Sequence, residues 1–269
     1  MRRRAIHQTA VLEALLSDLH AARPDHTVIT GDLTNISLPA EFVAARQWLH
    51  RVGSPGDVTA VPGNHDAYVR VPHESAWGHW TEYLASDAPG LSWLQGIGAV
   101  APEGKPELSF PSLRLRGPLG IVGACSAVPT APLLAAGELG SAQLERLARV
   151  LASLSDAGRC RVVLIHHPPS RAAVARRRAL RDADRLCAVL ARAGAELILH
   201  GHLHRTCVSS VPGPAGPIPV VGVRSASDHG SKPGKRAQYH LYDIEQRDAR
   251  YRITLRQRPG TGERLLSQA

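Results

Sequence analysis

Four short clusters of aspartate, asparagine and histidine are spread along the 269-residue chain, each beside a glycine or a proline. They are Gly31-Asp32, Gly63-Asn64-His65-Asp66, His166-His167-Pro168-Pro169 and Gly201-His202-Leu203-His204. Carboxylate and amide oxygens combined with imidazole nitrogens suit a divalent cation such as Mn, Fe or Zn. A carboxylate can also bridge two metal ions about 3.5–4 Å apart, the usual spacing in two-metal sites. The clusters therefore indicate metal chemistry, provided that the fold brings them together.

Each cluster comes at or just past the end of a short apolar segment that has the character of a buried strand. These predicted strands are residues 26–30, 58–61, 160–165 and 196–199. Helical spacing of apolar residues predicts intervening helices at residues 8–22, 40–51, 141–154 and 182–193, with Ser141 as an N-cap. In parallel α/β sheets the loops after the strands gather at one edge, so distant clusters would converge there.

The remaining segments carry weaker signals. Residues 119–124 predict a further strand, residues 67–118 are irregular with a small helix and a hairpin, and the tail from Pro217 predicts several strands. The stretch 212–217, rich in proline and glycine, predicts a turn between strands. We expect one domain over residues 1–269.

The order of these four motifs resembles that of the calcineurin-like metallophosphoesterases, and Val28-Ile29-Thr30-Gly31-Asp32-Leu33-Thr34-Asn35 is similar to that family's second block. The resemblance covers roughly residues 8–245. It implies an α/β fold, a four-layer α/β/β/α sandwich, and a metal-dependent phosphoester hydrolase. It further implies two divalent ions (Mn, Fe, Zn or Mg) and a metal-bound hydroxide that attacks phosphorus in line.

The resemblance also implies a set of metal ligands. Asp32 matches the bridging carboxylate, and Asn64 the amide-oxygen ligand of the second metal. His166 and His202 match further ligands of the second metal, and His204 matches a ligand of the first.

Two residues of the second cluster match catalytic positions of the family. His65 matches the histidine that reaches the phosphate and helps to protonate the leaving group, and Asp66 is expected to orient His65 by a hydrogen bond. His167 is expected to have a supporting role, because the family more often uses the first histidine of this pair.

The family's first block, an Asp-x-His after the first strand, has one apparent match at Ser17-Asp18-Leu19-His20. We reject it, because it lies within a predicted helix and only 14 residues separate Asp18 from Asp32. A helix of about 12 residues and a strand of about 5 already exceed that spacing. We therefore expect a domain that lacks its first strand, a first metal site with only Asp32 and His204, and very slow or no hydrolysis of a generic aryl phosphodiester by this chain. Two explanations are compatible with the sequence: a misassigned start codon, or a genuine loss of the first strand and its Asp-x-His block.

Composition bears on three questions: whether the chain binds nucleic acid, whether it spans a membrane, and in which compartment it resides. The formal charge is +9, but only three of the 32 basic residues are lysine, which argues against selection for a nucleic-acid surface. The densest basic cluster, Arg176-Arg177-Arg178 with Arg181, is expected on a solvated helix face, with a phosphate-attracting rim as the alternative. The sequence has no run of 18 or more apolar residues, so it predicts no membrane-spanning helix. Four cysteines without CxxC spacing favour a reducing, cytoplasmic location.

We therefore expect a two-metal hydrolase of a small phosphoester, with a small-molecule phosphodiester preferred. One alternative is an inactive metal- or phosphate-binding remnant with a regulatory role. Another is a DNA-processing nuclease, which only the charge favours.

Overall fold

The computed structural model describes residues 6–101, 109–131, 133–170, 174–230, 232, 234–248, 250–259 and 263–268. The helices are α1 (Thr9–Ala22), α2 (Pro39–Val52), α3 (Thr81–Leu84), α4 (Ala88–Gly96), α5 (Ser141–Asp156) and α6 (Ala183–Ala193). Short 3₁₀ turns lie at Asn64–Ala67, His73–Ser75, Trp77–Trp80 and Arg176–Arg178. The strands are β1 (Thr27–Ile29), β2 (Val58–Ala60), β3 (Ser112–Arg116), β4 (Leu119–Ala124), β5 (Cys160–Ile165), β6 (Leu197–His200), β7 (Cys207–Val211), β8 (Ile218–Gly222), β9 (Tyr239–Arg247), β10 (Arg250–Arg258) and β11 (Glu263–Gln268).

The strands form three hydrogen-bonded groups. A six-stranded sheet has the order β3-β4-β5-β6-β8-β7, with a parallel centre and antiparallel edge strands. Strands β1 and β2 pair in parallel, and β9 to β11 form an antiparallel meander. The parallel strands run in one direction, so the loops that follow β5 and β6 leave the sheet at the same edge.

The six-stranded sheet has a hydrophobic core on each face. On one face, α5 presents a leucine stripe (Leu144, Leu147, Leu151 and Leu154) at helical spacing and packs with α6 against β5 and β6. On the other face, Tyr251, Ile253 and Leu255 of β10 pack against the sheet. Complete burial of one such aliphatic side chain stabilises a fold by about 1.5–3 kcal/mol.

A third core joins α2 to β2 and to the segment around Trp80. Helix α1 lies against α2, where Glu13 pairs with Arg51, and against the meander, where Asp18 contacts β9 and β10. The resulting succession of helices, sheet, sheet and helices confirms the predicted mixed α/β fold.

The structure corrects two details of the sequence analysis. Helix α5 begins at Ser141, but Gly140 is its N-cap and no side chain caps it. The Asp182 carboxylate instead accepts hydrogen bonds from the N–H groups of Leu139 and Gly140, which sets the chain just before the helix. Strand β7 was not predicted, because it is an edge strand whose partly exposed residues lack a clear apolar alternation.

The predicted helix around Asp18 and His20 is confirmed as α1. The Asp18 carboxylate accepts a hydrogen bond from the Tyr239 hydroxyl at 2.7 Å and pairs with Arg258, whereas His20 Nε2 lies 3.2 Å from the carbonyl of Val52. Among the described residues, none of the helices combines the length and apolar character needed to cross a bilayer.

Candidate metal centre

The loops after β1 and β2 pack so closely that neither Gly31 nor Gly63 has room for a side chain. A Cβ atom on Gly63 would lie 2.2 Å from Oδ1 of Asp32, and one on Gly31 would lie 2.5 Å from the nitrogen of Gly63. Gly31 also has φ +93°, a conformation that few L side chains adopt. These two glycines allow the first two motif clusters to meet.

Three of the motif side chains sit on left-handed backbone. Asp32 has φ +63°, His202 has φ +63° and His204 has φ +49°. Non-glycine residues rarely adopt such angles, which cost on the order of 1 kcal/mol each and concentrate at functional sites. The strain turns these side chains away from the strand direction and toward a common space.

At the centre of that space, the Asn64 amide oxygen faces two imidazoles. Oδ1 of Asn64 lies 3.1 Å from Nε2 of His166 and 2.9 Å from Nδ1 of His202. The other nitrogen of each ring faces a backbone carbonyl: Nδ1 of His166 lies 2.6 Å from Thr30 O, and Nε2 of His202 lies 2.9 Å from Arg178 O. A carbonyl accepts only, so those nitrogens carry the ring protons.

In a neutral ring, the nitrogen that faces Asn64 therefore presents a lone pair. Burial lowers the pKa of His166, but the neighbouring Asp32 carboxylate outweighs that effect and raises it, so a cation must displace a proton from Nε2 of His166 before that nitrogen can bind. Oδ2 of Asp32, 3.3 Å from Nε2 of His166, adds a carboxylate to the group. Burial pushes the pKa of the Asp32 carboxyl up, but neighbouring His166 outweighs that effect and holds it below its usual range. Burial lowers the pKa of His202 to about 3, so this ring is neutral near pH 7. Electron-pair donors thus converge on one point, as a bound cation requires.

His204 lines the same cavity as Asp32, Asn64 and His202. Burial lowers the pKa of His204 to about 4, so it too is a neutral donor near pH 7. The ring of His7, which the motifs did not single out, lies edge-on to His204 with the centroids 6.4 Å apart. His7 is held there by its Nδ1 contact with the Ser227 hydroxyl at 2.8 Å and by an isolated bridge to Asp228.

His65 lines the cavity near Asp32, Asn64, His166 and His202, which we call the donor group. Its Nδ1 is 2.6 Å from the carbonyl of Asn35, so Nδ1 carries a proton. Its ring stacks in parallel on Tyr68, with the centroids 6.0 Å apart. Nδ1 of His65 is therefore fixed by the Asn35 carbonyl, which is not the orienting contact from Asp66 that the sequence analysis expected.

The contacts of Asp66 instead join the two glycine loops. Oδ2 accepts hydrogen bonds from the N–H groups of Asp32 and Gly63, both at 2.9 Å. Oδ1 accepts from the N–H and the hydroxyl of Thr34, at 2.7 and 3.0 Å. Burial and then the neighbouring Asp32 raise the pKa of Asp66 to about 6, against the opposing effect of these donors. Asp66 thus holds the backbone that presents Asp32.

His167 is close to the donor group but both of its nitrogens have other partners. Its ligand atom lies within 4.8 Å of those of His166 and His202. Nδ1 lies 2.8 Å from the Ser126 hydroxyl, and Nε2 lies 3.1 Å from the Ala135 carbonyl. These contacts agree with the supporting role expected for it, since they fasten the loop around Ala135 to the centre.

The cavity over this centre has a volume of about 480 Å³. Its wall includes residues that the motif analysis did not assign to the site, and these are Asn35, Ile36, Tyr68, Leu133, Leu134, Ala135 and Arg178. Two of them had a sequence signal: Asn35 ends the segment similar to the family's second block, and Arg178 belongs to the basic cluster for which a phosphate-attracting rim was one alternative. The others lie in loops without periodicity, and only the tertiary structure identifies them.

The donor set fits a divalent metal. Asp32, Asn64, His166 and His202 present one carboxylate, one amide oxygen and two imidazole nitrogens, each within 3.3 Å of at least one other member of the set. The carbonyl contacts of both imidazoles are the outer interactions that orient metal-binding histidines in other proteins.

Comparisons with known proteins agree with this chemistry. The family described as calcineurin-like phosphoesterase matches residues 6–206. No curated protein sequence matches the chain. A dimetal phosphatase from Danio rerio shares 14% identity, with a TM-score of 0.63 over 96% of this chain and 88% of that chain, which shows a common fold. GAP50 from Plasmodium, described as the anchor in the inner membrane complex, shares 11% identity with a TM-score of 0.33 over 85% and 79%, which supports no inference.

Proposed function

The chain belongs to the calcineurin-like phosphoesterase family, whose general chemistry is metal-dependent phosphoester hydrolysis, and we propose that its substrate is a small-molecule phosphodiester. In this proposal Asp32, Asn64, His166 and His202 hold one divalent ion. Asp32 and His204 contribute to a second. The observation that carries the proposal is the convergence of the His166 and His202 imidazoles on the Asn64 amide oxygen, with the Asp32 carboxylate beside His166.

The bound cations would supply the positive charge that neutralises phosphoryl oxygens and lowers the pKa of a water molecule. The protein's own residues have three further roles. They hold the donors in place, shape the cavity and position a proton. His65 fits the role of proton donor to the leaving oxygen through Nε2 in its doubly protonated form, because its Nδ1 proton stays engaged with the Asn35 carbonyl and the Nε2 proton is the one that can be transferred.

The presence of a single guanidinium group in the described cavity lining favours a phosphodiester substrate over a phosphomonoester. Arg178 is the one arginine or lysine that lines the cavity in the described part of the chain, and its side chain also contacts the carbonyl of His202 at 3.3 Å. A phosphodiester carries one negative charge near neutral pH, whereas a monoester carries up to two. One fixed cation beside the metals matches the diester better.

Metal binding tests the donor set directly. The chain, freed of metal and titrated with Mn²⁺ or Zn²⁺ in a calorimeter, should bind at least one equivalent. The His202→Ala variant should bind this equivalent at least tenfold more weakly, whereas His20→Ala, which removes an exposed histidine on α1, should bind it as the parent chain does. Equal affinities in both variants would overturn the assignment of the site.

Hydrolysis tests the substrate class. The metal-loaded chain should cleave bis(p-nitrophenyl) phosphate faster than p-nitrophenyl phosphate, and both faster than a single-stranded or double-stranded DNA. Preference for the monoester would refute the diester proposal, and preference for DNA would favour the nuclease alternative. Metal binding without any hydrolysis would favour the non-catalytic, metal-binding alternative.

A further inference from the structure

Exposed apolar side chains concentrate around the candidate metal centre. Among the described residues, eight large apolar side chains are exposed, and four of these line the cavity. These four, which we call the apolar rim, are Ile36 (40% exposed), Tyr68 (39%), Leu133 (90%) and Leu134 (37%). Scattered exposed leucines need no explanation, but four exposed apolar side chains that line the cavity of a candidate metal centre indicate a binding surface.

One wall of the apolar rim is held rigidly by polar contacts beneath it. The buried hydroxyl of Ser37 donates to the carbonyl of His65 at 2.7 Å and accepts from the N–H of Tyr68 at 2.9 Å. Ser37 has φ +60°, so the chain turns sharply just after Ile36. Ser37 therefore fixes the backbone next to Ile36 and at Tyr68, and both side chains remain partly exposed.

The part of the cavity wall that carries Leu133 and Leu134 is also held by hydrogen bonds. The hydroxyl of Thr130 donates to the carbonyl of Leu134 at 2.8 Å, and the N–H of Ala135 donates to the carbonyl of Arg177 at 2.9 Å. The carbonyl of Ala135 contacts Nε2 of His167 at 3.1 Å, which links this wall to the metal centre. Leu133 and Leu134 thus face the cavity on a loop that hydrogen bonds hold in place.

The cavity has both polar and apolar lining. The apolar rim shares it with Arg178, His65 and the metal-binding side chains of Asp32, Asn64, His202 and His204. A molecule that fits has an anionic phosphoryl group at one end and an apolar group at the other. A glycerol, a sugar or a nucleotide backbone would cover little of the apolar surface of Leu133 and Leu134, so it would gain less from binding there than an alkyl or aryl group would.

We propose that the substrate is a phosphoester that carries an alkyl or aryl group, and that the apolar rim selects it by binding that group. The proposal rests on the function proposed above for the same site. It assigns to Ile36, Tyr68, Leu133 and Leu134 the role of specificity-determining residues.

The first test measures kcat/KM for p-nitrophenyl alkyl phosphates with methyl, butyl and hexyl groups, together with p-nitrophenyl phosphocholine. Burial of one methylene favours binding by about fourfold, and partial burial by somewhat less, so kcat/KM should rise at least tenfold from methyl to hexyl. The phosphocholine ester should react no faster than the methyl ester. A flat series would overturn the specificity proposal and leave the hydrolase assignment standing.

Variants test whether the leucines of the apolar rim cause the dependence of kcat/KM on alkyl chain length. Leu133→Ser and Leu134→Ser should each lower the hexyl-to-methyl ratio of kcat/KM by at least threefold. The matched control is Leu265→Ser, which removes an exposed leucine (46% exposed) from β11, outside the cavity, and should leave the ratio unchanged. An equal ratio in all three variants would show that the apolar rim does not select the substrate.

A binding experiment separates failure of the specificity proposal from failure of the hydrolase assignment. Methylphosphonate and hexylphosphonate, which cannot be hydrolysed, are titrated into the metal-loaded chain in a calorimeter. Tighter binding of hexylphosphonate, lost in Leu133→Ser, would support the apolar rim even if no ester were cleaved. Equal binding of the two phosphonates would overturn it even if esters were cleaved.

Discussion

The carboxylate of Asp66 accepts a hydrogen bond from the backbone N–H of Asp32 at 2.9 Å, and Asp32 is held at φ +63°. The two residues are 34 positions apart, at the ends of two neighbouring strands. Asp66 has no place in the cavity lining, yet through this bond it holds the backbone of the central carboxylate of the site in its strained form.

Replacement of Asp66 by asparagine should therefore damage both stability and metal binding. The new NH₂ group would face N–H donors wherever it pointed, because Asp32 and Gly63 donate to one oxygen and Thr34 to the other. We expect a loss of about 2–3 kcal/mol in the free energy of unfolding and a roughly 10–100-fold loss in metal affinity. Urea denaturation and calorimetric titration measure these two quantities.

The control for this prediction is Asp18→Asn on α1. Asp18 contacts Tyr239 and Arg258, and its carboxylate is exposed to solvent. Metal affinity should be unchanged in Asp18→Asn. A comparable loss of affinity there would contradict both the role of Asp66 and the exclusion of Asp18 from the site.

Introduction of a methyl group at Gly63 should displace Asp32. The Cβ atom of Gly63→Ala would meet Oδ1 of Asp32 at 2.2 Å and its backbone nitrogen at 2.5 Å, so the loops must separate. We expect destabilisation of about 3 kcal/mol and loss of tight metal binding. Gly96→Ala at the end of α4, where a Cβ atom has no neighbour within 4 Å, is the control. It should be neutral or slightly stabilising, and equal effects of the two substitutions would contradict the steric argument.

Removal of the positive charge of Arg178 should weaken capture of anionic substrates. Arg178→Gln is expected to lower kcat/KM about three- to tenfold at low ionic strength, and the difference should shrink as salt is added, because exposed charges are screened. Arg176→Gln, two residues earlier in the same turn but outside the cavity lining, should have little effect. Identical salt dependence in the two variants would show that Arg178 does not act on the substrate.

His26 should make the stability of the fold depend on pH. Burial and the nearby Arg116 and Arg114 lower the pKa of His26 from 6.5 to about 4, with Asp57 and Asp87 opposing the shift. Between these values the unfolded chain binds a proton that the folded chain does not. The stabilising contribution is therefore complete above pH 6.5 and is lost as pH falls toward 4, with a slope of up to about 1.4 kcal/mol per pH unit.

His26→Gln should flatten this part of the curve of unfolding free energy against pH. Thr59→Ser, which keeps the hydroxyl that contacts Nε2 of His26 at 2.7 Å, should retain the slope. Unchanged slopes in His26→Gln would mean that other groups account for the acid sensitivity.

The sequence by itself determined the chemistry and the general fold. Each motif cluster begins within three residues of the end of its strand, as in Asp32 after β1 and His202 after β6, because a short apolar run must be buried and the chain must turn where the run ends. Glycine permits that turn in three of the clusters, and two prolines close the fourth. The loops after parallel strands share an edge, which applies to β1 with β2 and to β5 with β6. Donor types and strand positions are local properties, so they can be inferred without coordinates.

The tertiary structure alone decided how the donors are held and what surrounds them. The proton on His166 is fixed by the carbonyl of Thr30, 136 positions away, and that on His202 by the carbonyl of Arg178. Backbone carbonyls are identical in every residue, so no sequence pattern marks these partners. The same limit applies to Leu133, since an exposed leucine in an irregular loop acquires meaning only from the cavity that it faces.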